Sequence, residues 1–109
     1  MPEWNVQLLD AAAEELGELP DDMQARFLRI AELLEAYGPF EVGRPHVAPL
    51  GQGLWEIRMR GRSGIALALF EIHAGRELAV GRVFIKKTQK VPAREIRLAV
   101  RRLKEASDG

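Results

Sequence analysis

The stretch from Leu54 to Ile85 restricts the fold more than any other part of this 109-residue chain. In Leu54 to Arg60, Trp55, Ile57 and Met59 alternate with Glu56, Arg58 and Arg60, the period of a strand with one buried face. Gly61-Arg62-Ser63-Gly64 is turn chemistry, and Ile65 to Ile72 is then apolar at both parities, which predicts a central strand. Ala74-Gly75-Arg76-Glu77 makes a second tight turn into a third strand, Leu78 to Ile85. Connections this short force the three runs into an antiparallel meander. Such a sheet must bury its apolar surface against other elements, so the flanking segments have to supply the cover.

Those flanks carry helical patterns. Trp4 to Leu9 alternates briefly, as a short edge strand would. Asp10 is placed to cap a short helix, Ala11 to Leu16, that stops at Gly17. Pro20-Asp21-Asp22 opens a second helix, with proline in its first turn and acids at its positive end. Along it Met23, Phe27, Ile30, Leu33 and Leu34 recur at helical spacing until Gly38-Pro39, so the pair reads as a helical hairpin with one apolar stripe. Residues 38–53 are rich in Gly and Pro and read as a loop. Pro92 opens a last helix with Ile96, Ala99, Val100 and Leu103 on one side and mostly Arg and Lys on the other. The expected fold is α+β: one domain over residues 1–109, helices on one face of a small antiparallel sheet, and the other face open and basic.

Charge sharpens this. The chain is neutral overall, yet residues 1–50 carry a net −7 and residues 51–109 a net +7. The bases cluster as Arg58, Arg60 and Arg62, then Arg82, Lys86, Lys87 and Lys90, then Arg94, Arg97, Arg101, Arg102 and Lys104. Fields of this kind meet phosphate backbones first and acidic protein segments second. With no cysteine there is no disulfide, thiolate metal site or cysteine nucleophile. The first residues lack the basic-then-apolar order of a signal peptide, and no apolar run approaches the ~20 residues of a membrane span. The expectation is a cytoplasmic protein without membrane contact.

Most catalytic constellations find little support. His46 and His73 are the only histidines and have no paired carboxylates at ligand spacing, so no metal is expected. Ser63 and Ser107 sit in small-residue surroundings unlike those of a triad serine. No glycine cluster leads into a helix as a phosphate loop would. The segment Phe84-Ile85-Lys86-Lys87-Thr88-Gln89-Lys90-Val91-Pro92 is different. It puts three lysines and an amide on the link between the last strand and the last helix, at the rim of the sheet. Cations there can hold phosphates and stabilise charge that develops in phosphoryl transfer.

Several motifs together resemble one family. They are Gly53-Leu54-Trp55-Glu56-Ile57-Arg58, Gly64-Ile65-Ala66-Leu67-Ala68-Leu69-Phe70, and the Phe84 to Lys90 run followed by Pro92 and Glu95-Ile96. With the Leu19-Pro20 helix start and the Pro45-His46-Val47 turn, the chain resembles the HigB branch of the RelE-type toxins over nearly its whole length. The resemblance implies the toxin of a type II toxin–antitoxin pair, a metal-independent endoribonuclease that cuts mRNA on the translating ribosome and needs no cofactor. It implies as partners a helix-turn-helix (HigA-like) antitoxin, the ribosome and mRNA, with operator DNA reached only through the antitoxin. RNA would supply its own nucleophile, the 2′-hydroxyl. Carried over by motif, Arg58 and Lys87 contact the reacting phosphate, with Arg82 a further candidate. Lys86 and Lys90 clamp backbone or rRNA, Gln89 orients a base or the 2′-hydroxyl, and Arg60 and Arg62 add RNA contacts.

The chain departs from the family's pattern in two places, and the first supports a second reading. In the central strand the resemblance implies an arginine and a tyrosine where this chain has Leu67 and Phe70, and before the helix proline it implies a threonine where this chain has Val91. Losing a positioned cation at a phosphoryl centre costs about 3 kcal/mol, on the order of a hundredfold in rate. A protein of this fold with weakened chemistry would serve as an antitoxin-binding co-repressor or a ribosome binder. A general nucleic-acid module is a third reading, but Trp4, Trp55 and the phenylalanines mostly take core-facing positions where they cannot stack on bases.

Overall fold

Alternation and helical periodicity combine in the computed structural model, which describes residues 3–108, into a five-stranded sheet between two helical layers. In chain order the elements are β1 (Asn5–Leu8), α1 (Asp10–Gly17), α2 (Asp21–Tyr37), α3 (Pro39–Val42), β2 (Val47–Gly51), β3 (Leu54–Gly61), β4 (Gly64–His73), β5 (Glu77–Lys86) and α4 (Ala93–Asp108). The sheet order is β1-β5-β4-β3-β2. The meander β3–β4–β5 forms as its turns require, and β4, apolar on both faces, lies at the centre.

Four expectations change, three of them local. First, the sheet is mixed, because β1 pairs parallel to β5 from Asn5↔Glu77 to Leu8↔Val80. Second, residues 38–53 are not one loop: they hold α3 and the edge strand β2, antiparallel to β3. Pro49 hid that strand. At an edge its missing N–H costs nothing, and the register indeed shifts between Pro49 and Gly51. Third, Asp10 is the first helical residue rather than a cap. Leu9 holds the cap position without a side-chain hydrogen bond, and Asp10 complements the positive end of α1 from inside its first turn.

The largest change concerns layering. The first core packs α1 and α2 on one sheet face, with Met23, Phe27, Ile30 and Leu34 against Ile57, Met59, Ala68, Phe70 and Val80. The second core lies on the opposite face, where Ala99 and Leu103 of α4 meet Leu54, Leu67, Leu69 and Phe84. The helices therefore cover both faces, and the far face is not open over its whole width. Apolar residues at both parities of β4 require this, since each parity needs its own cover.

Two glycines permit close approaches. A Cβ at Gly81 would lie 2.8 Å from Leu103 Cγ and 3.1 Å from the Ala99 carbonyl oxygen, so the missing side chain lets α4 rest on β5. Gly38 ends α2 at φ 82° and ψ 163°, a conformation nearly closed to other residues. A Cβ there would sit 2.6 Å from the Trp4 indole. Gly38→Ala is expected to cost about 2 kcal/mol from backbone strain and displacement of Trp4. Urea denaturation of the variant beside the parent measures it, and an unchanged midpoint would refute the account.

Candidate nucleic-acid interface

Strand register decides which cations share a surface. On the face that carries α4, Arg60, Ile65 and Lys86 form one row across β3, β4 and β5, and Arg58, Leu67 and Phe84 form the next. With neighbouring strands about 4.8 Å apart, the Arg60 and Lys86 backbones lie roughly 10 Å apart. The row after these is Glu56, Leu69 and Arg82. Because α4 rests on the β5 and β4 side, Arg60 stays exposed and Arg58 and Lys86 stay partly exposed. The result is a strip of positive charge that continues into the loop after β5. There Lys87, Gln89 and Lys90 are exposed, and the Thr88 hydroxyl donates to the Lys90 carbonyl oxygen at 2.6 Å.

The site residues expected from sequence do not converge in one pocket. Arg58 and Arg60 border a depression of about 110 Å³ at the edge of β3. Lys87 and Arg82 border a separate cleft of about 380 Å³ between α1, the end of β5 and the start of α4. Arg62 projects from the β3–β4 turn, 97% exposed, while its backbone N–H donates to Asp22 Oδ2 at 2.7 Å. Arg58 is tied to its own strand, with Nη1 2.9 Å from Oε2 of the buried Glu56.

Arg82 has the most constrained surroundings. Its Nε donates to Glu95 Oε1 at 2.6 Å, its Nη2 to Glu95 Oε2 at 3.3 Å, and its Nη1 to Glu15 Oε2. Arg102 Nη1 donates to Glu15 Oε1 at 2.9 Å and to the Gly81 carbonyl oxygen at 3.1 Å, and the Val83 N–H also reaches Glu15 Oε1. Every guanidinium nitrogen of Arg82 thus meets a carboxylate, and the network joins α1, β5 and α4. The geometry makes Arg82 a tie between layers, where sequence pointed to a phosphate ligand. In the sequence nothing marks Glu15, Glu95 and Arg102 as a group, because nothing local to any of them announces partners as far as 87 positions away.

Burial pushes the Glu15 carboxyl up, but hydrogen bonds from Arg102, the Val83 N–H and Arg82 outweigh this and hold it below the ordinary glutamate range. The Arg82 guanidinium is raised, chiefly by Glu95. A carboxylate whose pKa falls on folding stabilises the native state above its unfolded value, about 4.3, and loses that contribution as pH drops through the folded value. Glu15→Gln should therefore lower stability at neutral pH and flatten its decline below about pH 4.3. Urea midpoints measured across that range test this, and an acid limb as steep as the parent's would count against it.

Among the described residues no helix is long and apolar enough to cross a membrane. A mixed sheet clasped between an N-terminal helical pair and a C-terminal helix is a RelE-like fold. Solved structures agree. The fold is similar to that in the RelBE2 toxin–antitoxin complex of Mycobacterium tuberculosis, with TM-score 0.57 and 23% identity over 79% of this chain and 100% of that one. It is also similar to the archaeal RelE–RelB complex of Pyrococcus horikoshii OT3, with TM-score 0.56 and 19% identity over 76% and 94% of the two chains. No curated protein matches the sequence. Residues 14–104 match the model of the phage derived protein Gp49-like (DUF891) family, and the chain belongs to that family.

Proposed function

We propose that this protein is the toxin of a type II toxin–antitoxin system, HigB-like in kind, acting as a ribosome-dependent mRNA endoribonuclease in the cytoplasm. One observation carries the reading: in a RelE-like fold, Arg58, Arg60 and Lys86 line up on one sheet face and run into the Lys87–Lys90 loop. A charged RNA strand laid along this strip meets cations at its phosphates.

RNA brings the nucleophile. The 2′-oxygen bonds to the adjacent phosphorus, the bond to the 5′-oxygen breaks, the 2′ proton passes to water, and the leaving oxygen takes a proton from water. Lys87 and Arg58 offset the charge that grows on the phosphoryl oxygens, Lys86 and Lys90 hold flanking phosphates, and Gln89 orients a base or the 2′-hydroxyl. Arg82 does not contact RNA in this scheme but anchors the layers that carry the strip. A helix-turn-helix, HigA-like antitoxin neutralises the toxin and brings it to operator DNA, and its acidic segments would cover the same strip.

Primer extension on a defined mRNA, with and without translating ribosomes, tests the reading. Ribosome-dependent cuts from the parent should fall on the order of a hundredfold in Lys87→Ala and in Arg58→Ala. If four phosphates are neutralised, log affinity for single-stranded RNA should fall with log salt at a slope of about −3. A flat salt response would remove the nucleic-acid reading altogether.

Leu67 favours a second reading, a toxin-fold protein with weakened chemistry that binds the antitoxin or the ribosome. It lies between Arg58 and Phe84, fully buried, at the position where the sequence resemblance implies an arginine. Absence of cuts from a folded parent that still binds ribosomes would support this alternative.

A further inference from the structure

The depression beside β3 gathers charge from three separate segments. Arg26 reaches it from α2, His46 from the turn before β2, and Arg58 and Arg60 from β3, with Pro45 and Ile65 as the remaining wall. It exists because β2 stops pairing at Val47↔Ile57. Past that point the Arg58 N–H donates to the His46 carbonyl oxygen at 2.8 Å, and the space beside the edge of β3 is left to side chains.

The electrostatics of this hollow are one-sided. No carboxylate lines it. Arg58 has Glu56 as a partner, whereas among the described residues no carboxylate oxygen lies within 4.0 Å of a nitrogen of Arg26 or Arg60. That is unexpected for Arg26, one of only three bases in a half of the chain with ten acids. Three guanidinium groups, of which only Arg58 has a counter-charge, repel one another, and an arriving anion relieves this. Guanidinium forks match phosphate oxygens in pairs, and a hollow of about 110 Å³ admits one phosphoryl group but not a folded peptide segment.

We propose that this hollow is a subsite for a single backbone phosphate of RNA, with Arg26 and Arg60 as its direct ligands and Arg58 shared with the neighbouring strip. The assignment rests on the RNA reading above and extends it to α2, an element that reading does not use. Arg60 shares its register row with Lys86, so one strand can run from the hollow across Ile65 to the lysine loop. The His46 ring stands at the hollow's rim beside Pro45, where a ribose or base next to the held phosphate would rest.

Fluorescence anisotropy with a short labelled oligoribonucleotide, repeated over a range of salt, tests this on the full chain. The parent would be run beside Arg26→Gln and beside a Lys86→Ala, Lys87→Ala, Lys90→Ala variant. Arg26 is exposed and has no ion-pair partner among the described residues, so Arg26→Gln should melt with the parent. It should bind RNA roughly fivefold more weakly, with a salt slope shallower by about 0.7, the share of one phosphate on a single strand. Titration with inorganic phosphate should shift the side-chain N–H resonances of Arg26 and Arg60 saturably. Parent affinity and slope in Arg26→Gln, with loss confined to the lysine variant, overturn the subsite and leave the RNA reading standing. A parent that does not bind RNA overturns both. Equal weakening toward a glutamate-rich peptide and toward RNA makes the hollow a general acidic dock and likewise overturns the assignment.

Discussion

Arg82→Met should destabilise this protein by about 3 kcal/mol, although its side chain lies beside cations that sequence reasoning would group with it. The substitution keeps the length and apolar stem but removes the charge between Glu15 and Glu95. Both carboxylates are largely buried, with side-chain exposures of 16% and 11%, and Arg82 itself is 21% exposed. Glu15 would keep Arg102, while Glu95 would lose the only ion-pair partner it has among the described residues. An uncompensated buried charge of this kind typically costs 3–5 kcal/mol, and residual solvent access places the expected loss at the lower end. Chemical denaturation supplies the number. Adding Glu95→Gln to Arg82→Met should recover part of the loss, because the orphaned charge is then gone. A loss under about 1 kcal/mol would show that the network is ornamental and that Arg82 is free for another role.

The second large effect is expected at Leu67. Placing there the arginine that the resemblance to RelE-type toxins implies looks, from sequence, like a restoration of chemistry. The structure predicts a different first consequence. Leu67 is fully buried and packs with Leu54, Leu69, Phe84, Ala99 and Leu103 beneath α4. A guanidinium in that cluster must either lose its hydration or push α4 away from β5. Leu67→Arg should cost about 4 kcal/mol, from the lost leucine packing together with the charge burial. Loss of helix α4 docking should show as increased amide exchange at Ala99 and Leu103. Cleavage assays on this variant are informative only beside that stability measurement. If Leu67→Arg is as stable as the parent, the cluster tolerates a cation and the packing account is wrong. If it also cuts mRNA where the parent does not, Leu67 is the position at which chemistry was lost.

The two predictions share a cause. Both concern α4, which the sequence pattern placed with the other helices on one sheet face and the structure places on the opposite face. Its stripe of Ile96, Ala99, Val100 and Leu103 implies burial against something, yet Val100 is 41% exposed and only Ala99 and Leu103 are fully covered. The docked face is narrower than the stripe, because contact with β5 runs through the gap at Gly81. Glu95, polar and near the helix start, is buried instead, since Arg82 draws it inward.

Local pattern determined a good deal. The alternation of Trp55, Ile57 and Met59 with Glu56, Arg58 and Arg60, the doubly apolar run Ile65 to Ile72 and the two short turns were enough to place the meander and sort its side chains by face. The Lys86 to Lys90 run and the Leu54 to Arg58 motif pointed to the RelE-type family without any coordinates. These features depend on residues within a few positions of one another, where a period of two or 3.6 decides which side chains share a surface. Tertiary structure alone decided the rest: which face α4 covers, that Leu67 belongs to its core, that Arg82 is claimed by carboxylates 67 and 13 positions away, and that Arg26 joins Arg58 and Arg60 at one hollow. A cation's availability depends on which opposite charges the fold brings within about 4 Å of it, and segments far apart in the chain supply them.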